Sequence, residues 1–136
     1  MSSSRVPTPI NDQNKTYLPG SPERAELKAT LARMASERVD IPLVIGGCEI
    51  RTGRTNQVVM PHNHRHVLGE WHAGDATHVQ QAIDAALNAS REWASWSLQD
   101  RAAVFLRAAE LLTTTWRATL NAATMLGQSK TVIQAE

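Results

Sequence analysis

Apolar residues change their spacing along this chain, and each change marks a different kind of element. Residues 1–19 mix Ser, Pro, Asn and Thr without a period and read as a flexible arm whose far end packs through Tyr17 and Leu18, with order beginning at Gly20. Leu27, Leu31 and Met34 then recur at helical spacing. Ser21 supplies an N-cap oxygen, Pro22 suits the first helical position and Glu23 complements the helix dipole. Pro42 biases Ile41 away from helical geometry, so the pattern predicts a helix over 22–38. From Ile41 to Arg51 aliphatic and β-branched residues flank Gly46 and Gly47, a pair that predicts a hairpin. A second hairpin is expected from Gln57–Met60, through a polar turn around Asn63, to Val67–Trp71, making four short strands.

Beyond Asp75 the helical period returns. Val79, Ala82, Ile83, Ala86, Leu87 and Trp93 share one face of a helix that starts at a cap on Asp75 or Thr77 and runs to about Trp93. Ser97 and Asp100 resemble a capping box, and Val104, Phe105, Ala108, Ala109, Leu111 and Leu112 form an arc broad enough to require burial of the next helix. Another helix carries Trp116, Leu120, Ala123 and Leu126 inward, with Gly127 expected as its left-handed C-terminal residue. Ser129 or Thr131 then caps a segment holding Val132, Ile133, Ala135 and Glu136. It reads as a helix of about two turns that stops without a signal, as if cut within the element.

Composition narrows the class. A chain of 136 residues, 42% hydrophobic and 20% charged, suits one globular domain. A net charge of +1, with basic residues scattered, leaves no electrostatic footprint for nucleic acid. No apolar run approaches the roughly 20 residues of a membrane span. Residues 1–17 carry neither an apolar signal core nor an Arg-rich targeting pattern. The single cysteine, Cys48, excludes an internal disulfide and suits a reducing compartment, for which the cytoplasm is the simplest choice.

Few residues invite a chemical role. His62, His64 and His66 alternate, and on a strand that spacing would aim three imidazoles at one metal. Pro61 and Asn63 mark a turn that breaks the alternation, Arg65 adds repulsion, and no fourth ligand lies nearby, so a solvated loop is preferred. Cys48 follows a Gly-Gly turn without an adjacent base, which favours a buried or half-buried strand residue over a nucleophile. Asp84, Glu92, Asp100 and Glu110 lie one per turn or farther apart and make no acid–base pair. The glycines form neither a dinucleotide fingerprint nor a P-loop. Trp93, Trp96 and Trp116 sit on apolar helical faces as core or interface residues. No catalytic, cofactor-binding or metal-binding residue is assigned.

Several segments nonetheless carry a family likeness: GSPER at 20–24, IPLVIG at 41–46, PHNHRH at 61–66, QAIDAA at 81–86, DRA at 100–102 with Phe105 and Leu106, and above all MLGQSKTVIQAE at 125–136. Together they resemble the N-terminal part of the 1-pyrroline-5-carboxylate dehydrogenases, a branch of the aldehyde dehydrogenase superfamily. The likeness covers residues 20–136, and Ser129 stands where the family's pattern has Gly. It implies an α/β aldehyde dehydrogenase fold in the full family. This chain would be an α+β N-terminal piece: an arm at 1–19, then one helix, two β-hairpins and a helical bundle at 20–136, ending within a helix. It also implies NAD as cofactor and oxidation of L-glutamate γ-semialdehyde to L-glutamate in proline catabolism. The enzyme would act after proline dehydrogenase, as a homo-oligomer. The family's cysteine nucleophile, its water-activating glutamate and its NAD contacts fall beyond Glu136. Cys48 does not match that nucleophile, Lys130 orders a helix start, and the 136-residue chain alone is expected to be inactive. From the residues alone a second class stays open, a stand-alone interaction module that binds a partner through an exposed helix edge.

Overall fold

Ser21 turns the chain into its first helix, α1 (Pro22–Ser36), by accepting the Arg24 amide on its Oγ at 3.4 Å. A computed structural model describes residues 6–136, so residues 1–5 of the expected arm lie outside the described residues. The helix ends two residues earlier than its periodicity suggests, because Glu37 is already extended and the chain passes directly into a strand.

That strand, β1 (Val39–Ile41), was not expected from the sequence. It pairs parallel with β5, Val39 facing Gly69 and Ile41 facing Trp71. Pro42, lacking an N–H, separates it from β2 (Leu43–Ile45), so Ile41 belongs to a different sheet from the hairpin that follows it. β2 pairs antiparallel with β3 (Cys48–Ile50) across Gly46 and Gly47, which take φ of +59° and +81° as a tight two-residue turn demands. The second hairpin joins β4 (Thr55–Met60) to β5 (Asn63–His72). Its turn is Pro61–His62 rather than a loop around Asn63, because Met60 already pairs with Asn63. His64 and His66 therefore lie on a strand, not in the solvated loop preferred from sequence. The three-stranded sheet runs β1–β5–β4, with the β2–β3 hairpin as a separate ribbon.

Asp75 opens α2 (Ala76–Ser95) by accepting the Thr77 and His78 amides, and Ser97 opens α3 (Leu98–Thr113) by accepting the Asp100 amide at 3.1 Å. α4 (Arg117–Gln128) contains Gly127 within its last turn, and the left-handed residue that ends it is Ser129, with φ of +54°. This corrects the expectation for Gly127 and gives a reason for glycine in the family's pattern at position 129. α5 (Val132–Ala135) is a single turn, opened by a reciprocal Thr131–Gln134 box. No helix among the described residues is long and apolar enough to cross a membrane.

The core lies where the arm, α1, α4 and α5 meet. Tyr17, Leu27 and Ala122 are buried together, with Leu31, Met34, Met125 and Val132 around them. Leu18, expected to pack beside Tyr17, is 61% exposed. α3 departs furthest from expectation: no residue of it is buried, and Val104, Phe105 and Leu112 all face outward. Trp93 of α2 meets the Phe105 ring edge-on at 6.4 Å between centres, yet the arc stays largely exposed, so burial demanded by periodicity is not met within the described residues.

Two substitutions test this geometry. At Gly69 an added Cβ would collide with the Val39 carbonyl oxygen, so Gly69→Ala is expected to lower stability by about 1–3 kcal/mol in urea unfolding. Ser129→Gly relieves a left-handed residue and is expected to raise stability by about 0.5–1 kcal/mol, despite losing the hydroxyl that meets His62. An unchanged urea midpoint in either variant would contradict the backbone described here.

Candidate functional site

The densest polar cluster gathers on the Glu136 carboxylate. One oxygen accepts from the Lys15 amide at 2.8 Å and from the Arg117 guanidinium, whose Nε lies at 3.0 Å. The other accepts from the Tyr17 hydroxyl at 2.7 Å and from the Asn121 amide at 2.6 Å. Arg117 also pairs with Asp12 and donates to the Gln13 carbonyl at 2.8 Å. The Glu136 side chain is only 3% exposed, so its charge depends on these donors. Burial pushes its carboxyl up, but hydrogen bonds from Arg117, Lys15, Tyr17 and Asn121 outweigh it and hold the group at about 2, against an ordinary 4.5. Burial, followed by the carboxylate on its hydroxyl, raises the Tyr17 phenol above its ordinary value. Tyr17 takes a φ of +52°, and Arg24 donates to its carbonyl at 3.1 Å.

Sequence reasoning placed Glu136 only as a member of a helix. Its partners lie up to 121 positions away, and no local pattern announces them. What the cluster does is mechanical: it fastens residues 12–17 to α4 and to the end of α5.

A second cluster centres on Asp40. Its carboxylate accepts from Arg51 Nε at 2.6 Å and pairs with His72 Nε2 at 3.0 Å, while the Gly53 amide donates to His72 Nδ1 at 3.3 Å. Because an amide can only donate, Nδ1 is the acceptor and Nε2 carries the proton. Arg51 holds Asp40 below the usual carboxylate range against some desolvation, and His72 adds to the effect. With both ring nitrogens engaged, this Asp–His pair clasps β1, β5 and the segment after β3, and leaves no free base.

The remaining sequence candidates do not converge. His62 Nδ1 meets Ser129 Oγ at 2.7 Å and His66 Nε2 meets the Ala35 carbonyl at 2.8 Å, so these rings join separate elements. No group of three or more His, Cys, Asp or Glu side chains among the described residues could hold a metal ion. Cys48 is on a strand as expected but exposed rather than buried, because the two-stranded ribbon has no layer over that side. Trp93, Trp96 and Trp116 are 36%, 41% and 51% exposed and so stand outside the core of the described residues. The Trp93 and Trp96 rings meet at 5.4 Å between centres, tilted by 42°. Lys130 lies exposed between Ser129 and the Thr131 cap.

Residues 50–136, well over half the chain, match the model of the aldehyde dehydrogenase family. The chain belongs to that family. It is 40% identical over 133 residues to the mitochondrial delta-1-pyrroline-5-carboxylate dehydrogenase of Dictyostelium discoideum, covering 98% of this chain and 24% of the relative. With the enzyme of the same name from Agaricus bisporus the identity is 43%, covering 97% and 24%. The crystal structure of the delta-pyrroline-5-carboxylate dehydrogenase from Mycobacterium tuberculosis bound with NAD superimposes with a TM-score of 0.94 at 45% identity, over 98% of this chain and 25% of that one. This aldehyde dehydrogenase chain thus spans about a quarter of the length of the relatives it matches.

A dinucleotide does not fit the residues present. Pyrophosphate binds where a glycine-rich turn leaves a helix N-terminus open, whereas Ser21, Asp75 and Ser97 close the starts of α1, α2 and α3 with their own side chains, and the uncapped start of α4 follows Thr115 and Trp116 with no glycine beside it. No residue of this chain is assigned to NAD.

The Glu136 cluster generates a pH prediction. A carboxyl whose value is depressed on folding stabilises the fold above its ordinary 4.5, and that stability is lost as pH falls toward about 2. Glu136→Gln is expected to lower stability at pH 7 by up to about 3 kcal/mol. It should also flatten the acid dependence in that window. Urea midpoints measured from pH 7 to pH 2 check this, and parallel curves for the two proteins would refute it.

Proposed function

We propose that this chain supplies the N-terminal quarter of an NAD-dependent dehydrogenase that oxidises L-glutamate γ-semialdehyde, the hydrolysed form of 1-pyrroline-5-carboxylate, to L-glutamate. The net reaction takes up water, moves a hydride to NAD and releases protons. One observation carries the reading: 98% of the chain superimposes on the mycobacterial enzyme at a TM-score of 0.94 and 45% identity. In this reading residues 20–136 are scaffold of the dehydrogenase domain and 1–19 its N-terminal arm, of which residues 12–17 are fastened through Tyr17 and its neighbours. The complete enzyme works as a homo-oligomer on a small aldehyde supplied by a proline-oxidising partner. The cytoplasm is its compartment in this proposal, supported by the single exposed thiol of Cys48; the Dictyostelium relative is named as mitochondrial.

A chimera tests the proposal. This chain is joined to the remaining three quarters of the mycobacterial relative, and NADH formation from the semialdehyde is followed by absorbance. Activity in the chimera and none in the purified 136-residue protein is the expected outcome. A soluble, folded chimera without activity, prepared beside an active parent, counts against the reading. So does NADH formation by the short chain alone.

A further inference from the structure

We infer that His62 and Ser129 form a latch between the tip of the β4–β5 hairpin and the joint of α4 with α5, and that through this latch the tip sets how firmly Glu136 and residues 12–17 are held. The inference goes beyond the function proposed above and stands without it.

The first ground is the joint itself. Ser129 turns the chain from α4 into α5 with φ of +54°, in the left-handed region where a side chain is strained and glycine is not. Such a turn is commonly closed by backbone amides that bond back to the last carbonyls of the helix. No backbone bond among the described residues runs from Lys130 or Thr131 back to α4, and the Thr131 amide donates to Gln134 Oε1 at 2.9 Å instead. Reaching the joint from the hairpin is the His62 ring, whose Nδ1 lies 2.7 Å from Ser129 Oγ. The tautomer decides which of the two donates, and either choice makes the bond. A glycine would relax the backbone at this position but would have no hydroxyl to offer.

The second ground is what stands behind His62, since a bond stiffens a joint only if its far end is fixed. Pro61 has its own φ locked by the ring, and Met60 pairs with Asn63 and is only 7% exposed. Farther along β5, His66 meets the Ala35 carbonyl at 2.8 Å, so the hairpin is tied to the end of α1 as well. The third ground is what lies beyond Ser129. At the far end of α5 the Glu136 carboxylate accepts from the Lys15 amide and the Tyr17 hydroxyl, so a joint that yields lets α5 lift and draws Glu136 away from the arm. His62 Nε2 has no partner among the described residues. Nothing therefore orients the ring as a base toward the serine hydroxyl, and the pair is an anchor rather than a nucleophile.

Amide exchange with solvent, followed residue by residue by NMR in the 136-residue protein, tests the latch through a double-mutant cycle. The amides of Ala135 and Glu136 report on α5, and that of Lys15 reports on the arm. His62→Ala is expected to speed exchange at all three by about two- to ten-fold, the effect of losing one hydrogen bond, while Leu31 in α1 keeps its rate. In the Ser129→Gly background the same change is expected to leave all three rates where they were. His62→Ala is compared within each background, so the relief that Ser129→Gly brings to the backbone cancels. His62→Asn keeps a hydrogen-bonding atom near the place of Nδ1 and is expected to restore slow exchange. Equal acceleration in both backgrounds overturns the inference, because the hydroxyl would not then be the anchor. So does unchanged exchange in His62→Ala, and so does an acceleration at Leu31 as large as at Glu136, which would report a general loss of stability. A faster α5 beside an unchanged Lys15 amide overturns the reach of the latch to the arm.

Discussion

The contact on which most of this molecule depends is a charge that cannot tolerate solitude. Glu136 lies almost wholly out of water, and a carboxylate in that position is stable only if donors surround it. Arg117 and Asn121 from α4, and Tyr17 and the Lys15 amide from the arm, are those donors. Satisfying one anion therefore fixes the path of residues 12–17, the seating of α5 and the face that α4 turns inward. The small apolar core of Tyr17, Leu27 and Ala122 forms beneath the same knot. Apolar burial alone would not hold an irregular arm in register against two helices; directional bonds to one carboxylate do.

Local chemistry was legible wherever its cause was local. Ser21, Asp75 and Ser97 cap the helices they were expected to cap, and Gly46–Gly47 makes the turn that its positive φ values permit. Features set by distant partners were not legible. β1 exists because Gly69 lets the Val39 backbone come close, and nothing around Val39 announces a parallel partner some 30 positions onward. The His62–His66 run read as loop because Pro61 and Asn63 are turn formers, yet a two-residue turn at Pro61–His62 leaves Asn63 free to begin a strand. Burial was misjudged at Cys48 and along α3 for one common reason. Periodicity reports which side of an element seeks cover, and not whether the residues at hand provide it.

The family was legible in its segments, most of all at 125–136, where the Ser129 departure also turned out to mark the left-handed residue. The chemistry of the family was not, since the residues here make caps, clasps and strand pairings and leave no acid–base pair free. Similarity to the known dehydrogenases runs through nearly all of this chain and covers about a quarter of theirs.

Pro42 has a consequence for how the molecule opens. It divides the strand run so that β1 joins the three-stranded sheet while β2 joins the hairpin, and no ladder of backbone hydrogen bonds links the two sheets. What spans the gap is the peptide chain at Pro42 and again at residues 51–54, with the side-chain clasp of Asp40 with Arg51 and His72 and the bonds of Thr52 and Gly53 to Ala73 and His72. The hairpin, with α2 resting against its turn, is thus a separable cooperative unit whose amides can exchange with solvent through a local opening that leaves the Tyr17–Leu27–Ala122 core intact. The protein has a seam, and a proline drew it.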